Sequence, residues 1–422
     1  MPNPGSGGAA MGSSGGAAMG SGGAANPGSG GGGSTATGGA GGIADTGGRG
    51  GVSSADGGVG GQIASGDPGL ELNDVTILTP LPASGDAPVL MFGSDLADDG
   101  TAMLPRALFD RLTTRSESTS PILGPNTYTR IHLVAVRFDL CDRHLPGACP
   151  MDEDARMRLV FQPTFAGASF QDAAFHAFFA IRKDELAGAL VALRALAKLA
   201  PPQPGRLAVS PALAAADHDA YAKALRAFVR RFGGESRLVR LTMLAQPEIS
   251  AQIRWTLRGL EKQGAAFVDM TIVGSTVTSE EVVRAGDGFD VIPATDSPAG
   301  LMTATSATAF DAADLAAKRQ ALGALVAVEN PLTHTPETIA CVGCHVSTQL
   351  TARLAQRALL DPLAIPGRFT STYDLSVAGG MSPTSTSVRA LGYLGATPLI
   401  SQRVVNETAQ TLTEIAQRYP VP

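Results

Sequence analysis

"FHAFFAIRKDELAGALVALRALAKLAPP", residues 175–202, changes periodicity part-way and so sets the fold class. Phe175 to Ile181 is a nearly unbroken apolar run of strand length. From Asp184 the spacing turns helical: Leu186, Leu190, Leu193 and Ala197 make one apolar stripe, Asp184 stands where an N-cap belongs, and Pro201-Pro202 stop the helix near Lys198. A strand leading directly into an amphipathic helix places a sheet beneath a helical layer.

The neighbouring stretches extend this pattern. RIHLVAVRFDL (130–140), MRLVFQP (157–163), RLVRLTML (237–244), AQIRWTL (251–257) and AAFVDMTIVG (265–274) read as further strands. A second helix covers 216–232, with Tyr221, Leu225, Phe228 and Phe232 on one face and Gly233-Gly234 as its stop. Arg226, Arg230 and Arg231 form the solvated side of that helix. Strands, then two helices, then further strands in succession give an α+β domain over 70–304 with mainly antiparallel pairing.

On either side the composition shifts. Residues 1–69 hold 28 of the 51 glycines, no aromatic residue and no cysteine, and they repeat GGAA and NPGSGG. So little apolar surface does not offset the entropy of ordering the glycines, and this segment is expected to be a disordered leader or tether. Beyond about 305 the β-type runs stop. Helices are expected at 311–328, 347–360 and 403–418, separated by stretches rich in Pro, Gly, Ser and Thr, which defines a small all-α domain over 305–422.

The chain has 32 basic and 38 acidic side chains, a net charge of −6. That balance speaks against nucleic-acid or anionic-membrane partners, which need a concentrated basic surface. No apolar run reaches the length of a membrane span.

Four cysteines carry most of the chemical information. Cys141 and Cys149 flank a Pro-Gly turn that can bring them to disulfide distance. Cys341, Cys344 and His345 stand in "TIACVGCHVST", residues 338–348. Two cysteines three residues apart on the first turn of a helix put both sulfurs on one face, and the next residue projects an imidazole beside them. A zinc site would lack a fourth ligand in sequence, and a thioredoxin-type C-x-x-C would need a strand before it, which "ENPLTHTPETIA" is not. No H-E-x-x-H or P-loop is present, and scattered carboxylates nominate no acid–base pair.

The C-V-G-C-H pentapeptide resembles the haem-attachment site of class I c-type cytochromes, and the resemblance extends over about 310–422 as a general plan of helices. It implies one covalent haem c, thioethers from Cys341 and Cys344, and His345 as proximal iron ligand. Met381, in a loop well after the motif, is the sixth ligand such members would use, and His334 just before the motif is the competitor. The expected function is one-electron transfer with an unidentified redox partner protein, the chain being a carrier rather than a catalyst. Such a protein is periplasmic, tethered to the outer membrane or extracellular in a bacterium. The start of the sequence lacks a charged segment followed by an apolar one, so the export signal, with or without a lipid anchor, is expected upstream of Met1. The alternative is a non-redox extracytoplasmic binding or structural protein with two disulfides, Cys141–Cys149 and Cys341–Cys344.

Overall fold

The computed structural model describes residues 69–420 except 85–86, 115–121, 125, 142–148, 150–151, 165–168, 202–204, 247–252, 287 and 378–386. The leader expected over 1–69, Gly69 apart, and Met381 therefore lie outside the described residues.

One antiparallel sheet organises the rest. Its strands are β1 (Thr76–Leu78), β2 (Ile131–Leu140), β3 (Glu153–Pro163), β4 (Ala173–Arg182), β5 (Leu238–Ala245), β6 (Arg254–Gln263), β7 (Ala266–Asp269), β8 (Ser279–Ala285) and β9 (Gly288–Ile292). They lie in the order β1-β2-β3-β4-β5-β6-β8-β9, and β7 pairs with the distal half of β6 beyond the reach of β8. The mainly antiparallel pairing expected from the sequence is thus present, and 130–140, 157–163 and 237–244 fall on β2, β3 and β5.

Sheets of this kind usually leave one face wet. Here β2 and β4 are buried along most of their length, because helices cover both faces. On β4, Phe175, Ala177, Phe179 and Ile181 enter a core with α3 (Leu186–Ala197) and α5 (Asp219–Phe232). The alternate residues, His176 and Phe178, face the other way. The short helices α1 (Leu72–Val75), α2 (Arg106–Thr113) and α4 (Pro211–Ala214) complete the first half of the chain. The helix expected from Asp184 starts at Leu186 with Glu185 at its cap, and the Glu185 carboxylate accepts two bonds from Arg237 at 2.7 Å rather than capping the helix.

From residue 301 the helices are α6 (Leu301–Ala304), α7 (Ala307–Ala312), α8 (Leu315–Glu329), α9 (Cys341–Arg357) and α10 (Gln402–Arg418). The single helix expected over 311–328 is two, since the Asp314 carboxylate accepts from the Ala317 N–H at 2.8 Å and starts a new helix there. Between α9 and α10 runs a hairpin of β10 (Leu391–Leu394) and β11 (Thr397–Ile400), which corrects the expectation that 305–422 is all-α. Gly392, at φ 128°, lets this hairpin press against β3: a Cβ there would sit 2.1 Å from Gln162 Oε1. Gln162 in turn bonds both the N–H and the carbonyl of Tyr393, at 2.6 and 2.9 Å.

The expected boundary at 304/305 corresponds to no break in packing. Residues 64–422 form one compact unit. One core joins Leu244, Trp255, Leu257 and Val282 of the sheet to Leu322, Leu325, Val346 and Leu350 of α8 and α9. The other joins β2 to Val404, Val405 and Leu412 of α10. Among the described residues, no helix is long and apolar enough to cross a membrane.

Candidate functional site

The motif opens α9. Ala340 at the N-cap has no side chain to satisfy the free N–H groups of the first turn, and the partner comes from across the fold. Glu280, on β8 and completely buried, accepts from the Val342 N–H at 3.1 Å. A carboxylate at a helix N-terminus meets the positive end of the helix dipole. Burial nonetheless raises the Glu280 carboxyl to about 7, and the N–H bonds from Val342 and Cys341 only partly oppose it.

Cys341, Cys344 and His345 are spaced i, i+3 and i+4, so one face of α9 carries all three. They line a cleft between α9 and the sheet, whose free space is about 830 Å³ when the open mouth is counted. Its floor is made by neighbours across β3, β4 and β5: Arg158 opposite Phe178, His176 opposite Thr242, and Phe178 opposite Arg240. Met243, Leu257, Met270 and Ile339 add apolar surface, while Arg403, Val404 and Glu407 of α10 form one wall.

The electrostatics suit neutral side chains. Burial pushes the Cys341 and Cys344 thiols up to about 12, although both remain partly open to the cleft. Thiols so far above neutrality hold too little thiolate for disulfide-exchange chemistry. Burial, joined by the Arg389 and Arg158 charges, lowers His345 to about 4 against the opposing hydrogen bond to Val388. The neutral His345 ring donates from Nδ1 to the Val388 carbonyl at 2.9 Å, and this leaves the Nε2 lone pair for a metal. His176 is likewise pushed well below its ordinary value, first by burial and then by His345 and the nearby arginines.

No family model, curated protein or solved structure matches the chain. The site is therefore judged by its donor set. Among the described residues, one set of three His, Cys or carboxylate ligand atoms lies mutually within 4.8 Å, namely Cys141, Cys149 and Glu153, and those two sulfurs are bonded to each other. The donor atoms of Cys341, Cys344 and His345 are spread more widely than a bare metal ion requires. Haem c asks for that spread, with sulfurs at the edge of the macrocycle and a nitrogen at its centre.

Of the residues nominated from sequence, Cys341, Cys344 and His345 come together, and Cys141 and Cys149 form the expected disulfide. Cys341 and Cys344 are free, so the second disulfide of the alternative reading is not formed. His334 does not line the cleft; Thr338 Oγ1 lies 3.4 Å from its Nδ1, and Arg403 donates to its carbonyl at 2.6 Å. Sequence reasoning missed His176, Glu280 and the arginines of the floor and wall. A histidine inside the strand FHAFFAI was the one local signal, and nothing in the sequence marked the others.

Proposed function

We propose that this cleft holds one covalent haem c and that the protein is an exported mono-haem electron carrier, its C-terminal part acting as a c-type cytochrome does. The carrying observation is the shared face of α9: two thiols and a neutral imidazole, its Nδ1 occupied by Val388, open into one cleft. Cys341 and Cys344 would hold the group through thioethers, and His345 would bind the iron through Nε2. When bound, haem supplies reversible one-electron chemistry at iron. The chain's own part is to fix, orient and partly bury it. Arg158, Arg240 and Arg403 line the cleft with their charges already met by Asp139, Glu337 and Glu407, so the chain itself neutralises this side of the chamber. The Cys141–Cys149 disulfide supports an oxidising compartment, periplasmic or extracellular. Met381 and His334 remain the sixth ligands offered by sequence spacing.

The test is expression behind an export signal in a host carrying a c-type maturation system. The expected product is red, with haem that survives denaturing electrophoresis and acid-acetone extraction. A colourless, folded product from that host overturns the reading and leaves a non-redox binding protein.

A further inference from the structure

We infer that His176, on β4, is the second axial ligand of the iron held by His345. This deepens the proposed function and rests on it. Three observations carry it. His176 lines the same cleft as Cys341, Cys344 and His345. Its ring centroid lies 5.9 Å from that of His345, with the planes inclined by 61°, so the two imidazoles are close neighbours within the cleft. Its Nε2 is buried and has no hydrogen-bond partner, in a residue only 8% exposed.

Buried imidazole nitrogens without partners are rare and cost free energy, so an orphaned one beside a cleft calls for a partner that the chain does not supply. The strand also gives His176 what an axial ligand needs. It sits in register between Val160 of β3 and Thr242 of β5, in the middle of the sheet, where backbone pairing on both sides fixes its direction. Its neutral form, maintained by burial, is the form that ligates. The competitors are less well placed. His334 lies outside the cleft. Of the two methionines lining it, Met243 belongs to the opposite core, and Met270 packs over Gly259, where its Cε would be 2.8 Å from an added Cβ.

The experiment uses the matured full chain. In the wild type, near-infrared magnetic circular dichroism and electron paramagnetic resonance of the ferric protein should show a low-spin iron with two nitrogen axial ligands and no sulfur-to-iron charge-transfer band. His176→Ala should keep the covalent haem, lose the low-spin signal and regain it when imidazole is added; His176→Met should gain the sulfur-to-iron band. A sulfur-to-iron band in the wild type overturns the assignment, and this measurement decides even if the variants fail to fold. An unchanged low-spin spectrum in folded His176→Ala also overturns it. A wild-type chain that takes up no covalent haem removes the proposed function and this assignment together, whereas the other two failures remove the assignment alone.

Discussion

Two neighbouring regions share one sheet face and meet at Arg158, Phe178, Arg403 and Glu407, yet they treat their polar atoms in opposite ways. In the seam between β2 and α10, the buried charges are gathered into ion pairs, although Arg137 Nε, Arg158 Nε and Asp139 Oδ2 make no hydrogen bond. Arg137 meets Asp139 at 2.6 Å and Glu407 at 2.5 Å, Arg158 meets Asp139 at 3.1 Å, and Arg403 meets Glu407 at 2.6 Å. Arg156 and Arg240 share Glu337, at 2.8 and 3.0 Å. In the adjoining cleft, His176 Nε2 has no partner and two thiols stay unbonded. Matched charges hold a structure together, whereas unmatched donors around a space mark where something binds.

The comparison breaks first at the cysteines. Replacing Cys341 and Cys344 together by Ala should abolish the haem that survives denaturing electrophoresis, read by haem staining, while the fold persists by circular dichroism. If covalent haem persists, the cleft is not its site.

The second test addresses the seam. Glu407→Ala leaves Arg403 without its buried carboxylate and Arg137 with Asp139 alone, and should destabilise the fold by about 3–5 kcal/mol in urea unfolding. Although burial opposes it, the Arg137, Arg403 and Arg158 charges hold the Glu407 carboxyl well below the usual carboxylate range. The native state thus releases this proton more readily than the unfolded chain. Its contribution is present above the unfolded value, about 4.3, and is lost as pH falls through the lower folded value. The urea midpoint of the wild type should drop on acidification below pH 4, and that drop should shrink in the variant.

Two buried carboxyls near α9 should titrate with the opposite sign. Burial raises Glu280, and also Glu329, from 4.5 to about 7, so the native state keeps a proton that the unfolded chain has released. Their contributions are present below pH 4.5 and are lost as pH rises through about 7, by at most about 3 kcal/mol each. His176 and His345, lowered by burial, contribute in the opposite sense over the same window, so the readout is a difference: replacing both carboxyls by Gln should raise the stability of the haem-free protein at pH 7 relative to pH 4.5, compared with the wild type. An unchanged difference would mean these carboxyls are not titrating groups.

The smallest effect is a control away from both regions. Arg106 and Asp110 pair at 2.8 Å on the outside of α2, with side chains about half exposed at 52% and 49%. Asp110→Ala should cost only about 0.3–0.5 kcal/mol in the same urea assay, because water and salt screen such a pair. A cost near that of Glu407→Ala would dissolve the distinction between seam and surface.

What the sequence disclosed follows the range of the interactions. Periodicity is local, so the strand at 130–140 appears as Ile131–Leu140 and the helix at 403–418 as Gln402–Arg418. The C-V-G-C-H spacing is local too, and it placed three donors on one face of a helix. The hairpin at 391–400 escaped because its four-residue strands contain Gly392 and Pro398 and depend on Gln162, far away in sequence, for their docking. Glu280 escaped for the same reason: it caps a helix 62 residues further along the chain. His176 lay within a correctly read strand, but alternation alone does not say that its face holds a cleft rather than a core.

The separation of contacts has a further consequence, one of timing. Arg137 waits 270 residues for Glu407, and Thr76 waits 332 for Thr408. At a synthesis rate of about 5–20 residues per second, the two sides of the seam emerge roughly 15–50 seconds apart. The floor of the cleft is made first, the anchoring face of α9 next, and the wall on α10 last. Until Arg403, Val404 and Glu407 emerge, the cleft lacks that side. It is thus the last part of this sheet face to be completed, because α10 follows every other element that lines it.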